Sequence, residues 1–165
     1  MKNLVFTILA VLFTLCATAQ AFTGNGDQKF QVGINAQDNG TGITATYDFG
    51  VGENISLGLL STYVLGVNEA IDADFGDRFD LKARFNANLG NVINLGEEVD
   101  FYPGLNLGLR NFGGHVGARY FFSEGFGLFA EAGFPIAKYN NDELTFAEKL
   151  NNQFNFTIGA SFNIL

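Results

Sequence analysis

Strict two-residue alternation runs through this chain and limits its fold more than any other feature. Phe154, Phe156, Ile158, Ala160, Phe162 and Ile164 are apolar, and Gln153, Asn155, Thr157, Gly159, Ser161 and Asn163 stand between them. Phe79, Leu81, Ala83, Phe85, Ala87 and Leu89 interleave with Arg78, Asp80, Lys82, Arg84, Asn86 and Asn88. Val99, Phe101, Pro103, Leu105, Leu107 and Leu109 do the same with Asp100, Tyr102, Gly104, Asn106, Gly108 and Arg110. Period two is the signature of a strand with two unlike faces. The pattern predicts eight strands, at 28–37, 42–50, 54–66, 78–90, 98–110, 114–122, 125–139 and 152–165.

Most of these runs approach the roughly 9–11 residues with which a tilted strand crosses a bilayer. Eight is even, and it is the smallest strand number of an outer-membrane barrel. Closure also removes the free edges that so apolar an open sheet would expose. The expected fold is therefore all-β: an eight-stranded antiparallel up-and-down transmembrane β-barrel spanning residues 20–165. After the N-terminal leader no apolar stretch is long enough for a transmembrane helix.

Alternation alone does not say which face points outward, and a soluble lipocalin-like periplasmic barrel would alternate too. Volume and charge choose between them. The apolar face carries most of the aromatic rings, among them Phe30, Phe49, Phe85, Phe101, Phe126 and Phe156. An eight-stranded interior is only just wide enough for side chains to fill, and these rings would overfill it. The polar face is rich in small residues, such as Gly33, Gly58, Gly104, Gly117, Gly127, Gly133 and Gly159. It also holds the strand charges: Lys29, Arg78, Lys82, Arg84, Arg110 and Arg119, with Asp48, Asp80, Asp100 and Glu131. A lipid-facing charge at mid-depth costs about 2–4 kcal/mol. The polar face is therefore expected to line the lumen and the apolar face to meet lipid.

The N-terminus reads as an address. A polar start at Lys2 and Asn3, an apolar run from Leu4 to Leu15, and Ala17-Thr18-Ala19 form a secretory signal peptide over residues 1–19, cleaved after Ala19. Ala19-Gln20-Ala21 offers a second site. Cys16 follows Leu15 rather than the small residue that a lipid-anchor signal wants, and it is the only cysteine. An intrachain disulfide and a multi-cysteine zinc site are thereby excluded. The net charge of −8 argues against nucleic acid, whose phosphates need a basic patch.

With both termini on the periplasmic side, the periplasmic turns fall at 50–54, 90–98 and 123–125. The outer loops fall at 38–41, 66–77, 111–114 and 140–151, so the two longest outer connections suit such barrels. Asn39-Gly40 and Gly113-Gly114 supply hairpin chemistry. Phe30, Tyr47, Phe49, Phe101, Tyr120, Phe122, Phe126 and Phe162 gather at the periplasmic strand ends as an interfacial girdle. Tyr63, Phe79, Phe134 and Phe154 are placed to form an outer one.

The leader, the eight alternating strands and the last strand, 154–165, resemble small outer-membrane β-barrels of the OmpA/OmpX type. Phe22-Thr-Gly-Asn-Gly-Asp27, Lys29-Phe-Gln-Val-Gly33, Tyr102-Pro-Gly-Leu-Asn-Leu-Gly108 and Asn111-Phe-Gly-Gly114 look like a family of small flavobacterial barrel proteins. The resemblance implies a Gram-negative outer membrane, membrane lipid as surroundings, and assembly machinery that reads the last strand. Many such barrels end in Phe or Trp, whereas this one ends Ile164-Leu165. The resemblance brings no activity with it.

Three constellations carry possible chemistry. The lumen charges, with His115, are expected to form a paired network that plugs the barrel, because buried charges must be paired. His115, the only histidine, would need a nearby serine to serve a lipid-modifying enzyme, since a His base activates a Ser hydroxyl. Ser56, Ser61, Ser123 and Ser161 are the candidates, and nothing in the spacing joins one to it. Glu69, Asp72, Asp74 and Asp77 cluster in one loop, but their spacing fits no EF-hand. That loop is a weak divalent-cation candidate, and no metal or cofactor is otherwise expected. Gly24-Asn25-Gly26 lacks the strand and helix of a phosphate loop. The leading expectation is a monomeric, non-enzymatic barrel serving envelope structure or surface interaction through loops 66–77 and 140–151. A narrow pore or small-ligand carrier, a lipid-modifying enzyme and the soluble barrel are the alternatives.

Overall fold

The computed structural model describes residues 19–68, 71–140 and 145–164. Eight strands close into one antiparallel barrel, each paired with the next in sequence and the first with the last. They are β1 (Gln28–Gln37), β2 (Gly40–Gly50), β3 (Ile55–Val67), β4 (Phe79–Ala87), β5 (Val99–Gly108), β6 (Asn111–Ser123), β7 (Phe126–Lys138) and β8 (Asn155–Asn163). Two single-turn helices, α1 (Phe75–Arg78) and α2 (Phe146–Lys149), lie in the 68–78 and 139–154 connections. None of the described helices is long and apolar enough to cross a membrane. The expected leader lies outside the described residues except for Ala19, as does Glu69.

Burial is inverted relative to an ordinary domain. On β1, Ile34 is 65% exposed while Lys29 is 1% exposed. Phe49, Leu57, Leu107, Leu128 and Ile158 likewise point out, and Gln31, Asn86, Asp100 and Arg119 are buried inside. Register enforces this, since a one-residue slip would exchange the faces. Val32 pairs with Ala45 on one side and Ala160 on the other, outward residue against outward residue.

The end that carries residues 19–27 is called the near end here, and the opposite end the far end. At the near end rings run around the wall: Tyr120 to Phe122 (4.9 Å), Phe122 to Phe126 (6.3 Å) and Phe126 to Phe162 (5.6 Å). At the far end Phe75 lies 5.5 Å from Tyr63 and 5.7 Å from Phe79.

Strand ends depart from the alternation in several places. β1 matches the expected 28–37, but β4 stops at Ala87 rather than at 90, and β8 runs from Asn155 to Asn163 rather than over 152–165. The third far-end connection is the turn 109–110, not 111–114. Asn111 opens β6 opposite Lys138, and Gly113 pairs with Pro135. A Cβ on Gly113 would press on the carbonyl of Phe134, so this glycine permits close strand approach rather than a turn. Asn39 does take the turn expected of it, with φ of 60°.

A segment without alternation shapes the near end. Residues 19–27 fold across the mouth, with Ala21 and Phe22 buried. Ala21 N–H donates to Glu97 O (2.7 Å), and Asn91 Nδ2 donates to Phe22 O (3.2 Å). Ala19 and Ala21 pack on Phe121, which faces inward.

Candidate functional site

The inward faces build one polar column. Near the mouth, Lys29 Nζ donates to both oxygens of Asp27 at 2.7 Å and to Asn163 Oδ1 at 2.7 Å. Its ammonium lies 5.3 Å from the Phe121 ring centre and 5.9 Å from that of Phe22, a cation–π setting. Arg119 on β6 reaches across to β5, donating to Asp100 Oδ2 at 2.7 Å and to Asn88 Oδ1 at 2.8 Å. Asp100 Oδ1 in turn accepts from Gly90 N–H at 3.0 Å. The Arg119 guanidinium lies 4.8 Å from the Tyr102 ring centre.

Arg84 occupies the middle of the lumen. Its Nη2 donates to Glu131 Oε2 at 2.7 Å, and its Nε lies 3.3 Å from Asp48 Oδ1. Nε also donates to Asn86 Oδ1 at 3.1 Å. That oxygen lies 2.8 Å from His115 Nε2. The same Nε2 lies 3.1 Å from Arg84 Nη2. Nδ1 has no hydrogen-bond partner. Asn86 and Asn88 each donate to Ser56, at 3.0 and 3.2 Å. The hydrogen-bond contacts of His115 thus go to the Asn86 amide and the Arg84 guanidinium, and Ser56 serves the two asparagines. Ser61 sits among outward residues, opposite Ala45 and Leu81.

Toward the far end the column loosens. Lys82 approaches Asp80 at 3.5 Å. Above it a polar cavity of about 20 Å³ is lined by Asn35, Thr44, Thr62, Asn106, Glu131 and Thr157, among others. That is room for about one ordered water. The mouth is then covered. Leu150 and Ala147 are buried, Asn111 Nδ2 donates to Asn151 O (3.1 Å) and Asn152 Oδ1 (3.0 Å), and Asn151 donates to Arg78 O (3.0 Å).

Two expected lumen residues lie elsewhere. Arg78 belongs to α1 and donates its Nε to Ala73 O at 3.1 Å. Arg110 sits in the turn after β5, bonded to Gly76 O and 3.5 Å from Asp77. Both have the inward parity, but they stand beyond the ends of their strands, where parity no longer fixes direction. Conversely Asp27, before β1, is drawn into the lumen. Among the described residues the buried cations are Lys29, Lys82, Arg84 and Arg119, against Asp27, Asp48, Asp80, Asp100 and Glu131. Carboxylates therefore outnumber cations in the column by one.

The described carboxylates of the acidic loop do not converge either. Asp74 caps α1 by accepting from Asp77 N–H (3.2 Å), Asp77 faces Arg110, and Asp72 is exposed. Among the described residues no cluster of His, Cys, Asp or Glu is arranged to hold a metal. In the connection 139–154, Thr145 and Glu148 form a capping box. Glu148 Oε2 accepts from Thr145 N–H and hydroxyl, both at 2.8 Å, and these bonds hold its carboxyl below the ordinary value.

Sequence reasoning placed Asn86, Asn88 and Tyr102 on the lumen-facing side without naming them as members of the charge network, and it missed Phe22 altogether. Tyr102 left a usable signal, a bulky ring on the polar face that also carries Gly104 and Gly117.

A closed eight-stranded antiparallel barrel, apolar outside and ion-paired within, has the fold of transmembrane β-barrels. The chain belongs to the Family of unknown function (DUF6646), whose model matches residues 11–164. Among solved structures it is similar to a de novo designed transmembrane β-barrel. The TM-score is 0.59 at 13% identity, covering 86% of this chain and 98% of that one. Outer Membrane Protein G from Pseudomonas aeruginosa, solved by solution NMR, aligns with a TM-score of 0.46 at 12% identity, over 87% of this chain and 100% of that one. No curated protein matches the sequence.

Proposed function

We propose that this chain is a monomeric outer-membrane barrel of the small OmpA/OmpX-like kind. In this reading it is exported by a cleaved leader and assembled through β8. It is not an enzyme, and its lumen is a plug. It serves the envelope by presenting the far-end connections 66–77 and 140–151 outside the cell. The observation that carries this reading is the inverted burial: aliphatic and aromatic residues all around the wall, and arginines paired with carboxylates inside. In water that wall would be a very large apolar patch, far beyond the few hundred Å² that soluble monomers expose. Against membrane lipid it is the favourable surface.

Envelope fractionation with heat-modifiable gel mobility tests the location. Recovery in the outer membrane, with a compact SDS-resistant form that shifts on boiling, is expected. Recovery in the soluble periplasm would overturn the reading. Planar bilayer recordings test the plug, with silence expected and reproducible conductance steps against it. Lipid A mass spectra from cells carrying His115→Ala should match the parent. An altered profile would establish the lipid-modifying alternative.

A further inference from the structure

The connection between β4 and β5 is unlike the other two at the near end. The 51–54 and 124–125 turns are short. Residues 88–98 make a longer excursion and leave Val92, Ile93 and Leu95 exposed at 54%, 51% and 45%. Neighbouring exposed aliphatics on an ordered segment mark an interaction surface.

The segment is tied down. Asn88 N–H donates to Asn54 O and Leu89 N–H to Phe101 O, both at 2.8 Å. Ile93 N–H donates to Leu89 O at 3.0 Å and Leu95 N–H to Gly90 O at 3.1 Å. Its mouth-facing side is already used, because Asn91 holds Phe22 O and Glu97 O holds Ala21 N–H. The aliphatic trio takes no part in these bonds and stays exposed. The Leu89–Phe101 bond keeps the register of β4 and β5, so two residues of outward parity lead from the wall toward this turn. The seam below it is also the shortest ladder of the barrel, running only from Lys82↔Gly108 to Asn86↔Gly104.

We propose that Val92, Ile93 and Leu95 seat in the boundary between headgroups and acyl chains of the leaflet nearest the termini, making this turn a phospholipid-binding surface. The proposal rests on the membrane reading above. Continuity with the outward wall favours lipid over a protein partner. Asn91 and Asn94 beside the trio suit the wet side of that boundary, and an apolar face held between polar residues is how interfacial segments lie in a bilayer. The seated turn would cover the seam where strand pairing is thinnest.

The test uses Ile93→Cys in a Cys16→Ser background, labelled with bimane and reconstituted in phosphatidylcholine vesicles with or without 5-doxyl phosphatidylcholine. Leu57→Cys on the wall and Asn25→Cys at the mouth are labelled in parallel, and heat-modifiable mobility verifies folding of each. The Ile93 label is expected to be quenched by the doxyl lipid comparably to the Leu57 label, and to be shielded from aqueous iodide relative to the Asn25 label. If Leu57 is quenched while Ile93 behaves like Asn25, the turn stands in water and the proposal fails, leaving a protein partner as the occupant. If Leu57 itself escapes quenching, the membrane reading falls and the proposal with it.

Discussion

The middle of the lumen and its far mouth use the same side chains to different effect. In the middle, Arg84 and Arg119 are buried and meet Glu131 and Asp100 at 2.7 Å, with asparagines filling further bonds. At the mouth, Arg110 faces Asp77 at 3.5 Å, and both side chains remain 21–23% exposed. Water shares the second pair and is kept from the first. The first pairs are therefore dear to break, while the second is worth little. Composition counts all of them equally, and depth separates them.

The largest expected effect comes from breaking the middle. Arg84→Ala leaves Asp48 and Glu131 buried without their cation, at a cost of about 3–5 kcal/mol. Urea unfolding of the detergent-solubilised barrel, read by loss of the heat-resistant band, measures it. A cost no greater than at the mouth would erase the distinction. Gly117→Ala tests the same region by volume. Its Cβ would meet the Tyr102 ring, against which Arg119 lies, and overpacking of about 1–3 kcal/mol is expected in the same assay.

At the mouth, Arg110→Ala should cost about 0–1 kcal/mol, and raised salt should shrink even that. The smallest effect is a local pH response. Glu148 has a lowered folded-state pKa, so its cap contributes above the unfolded value of 4.5 and is lost as pH falls below it. Hydrogen exchange at residues 145–150, corrected for intrinsic rate, should quicken from pH 5 to pH 3. Glu148→Gln should remove that change.

The wall of the barrel was legible because parity is a local property. Phe30, Val32 and Ile34 declare their face without knowledge of any neighbour, and closure follows from the number and length of the runs. The lumen membership of Lys29, Asp48, Lys82, Arg84, Asp100, His115, Arg119 and Glu131 follows from the same rule. The partners do not. Arg119 with Asp100 and Arg84 with Glu131 depend on register and tilt, which alternation leaves free. Parity also fails where a strand stops, and Arg78 and Arg110 lie just past that point. Phe22 had no periodic context at all, and its role appears only once a mouth exists for it to fill.

The segment 19–27 also ties distant parts of the chain together at one end of the barrel. It is held by Glu97 and Asn91 between β4 and β5, by Phe121 at the end of β6, by Lys29 on β1, and through Gln20 O by Asn163 on β8. These anchors come from both terminal strands and from the middle of the chain. They stand together only after β1 has zipped to β8. The segment's complete set of anchors therefore exists only in the closed cylinder.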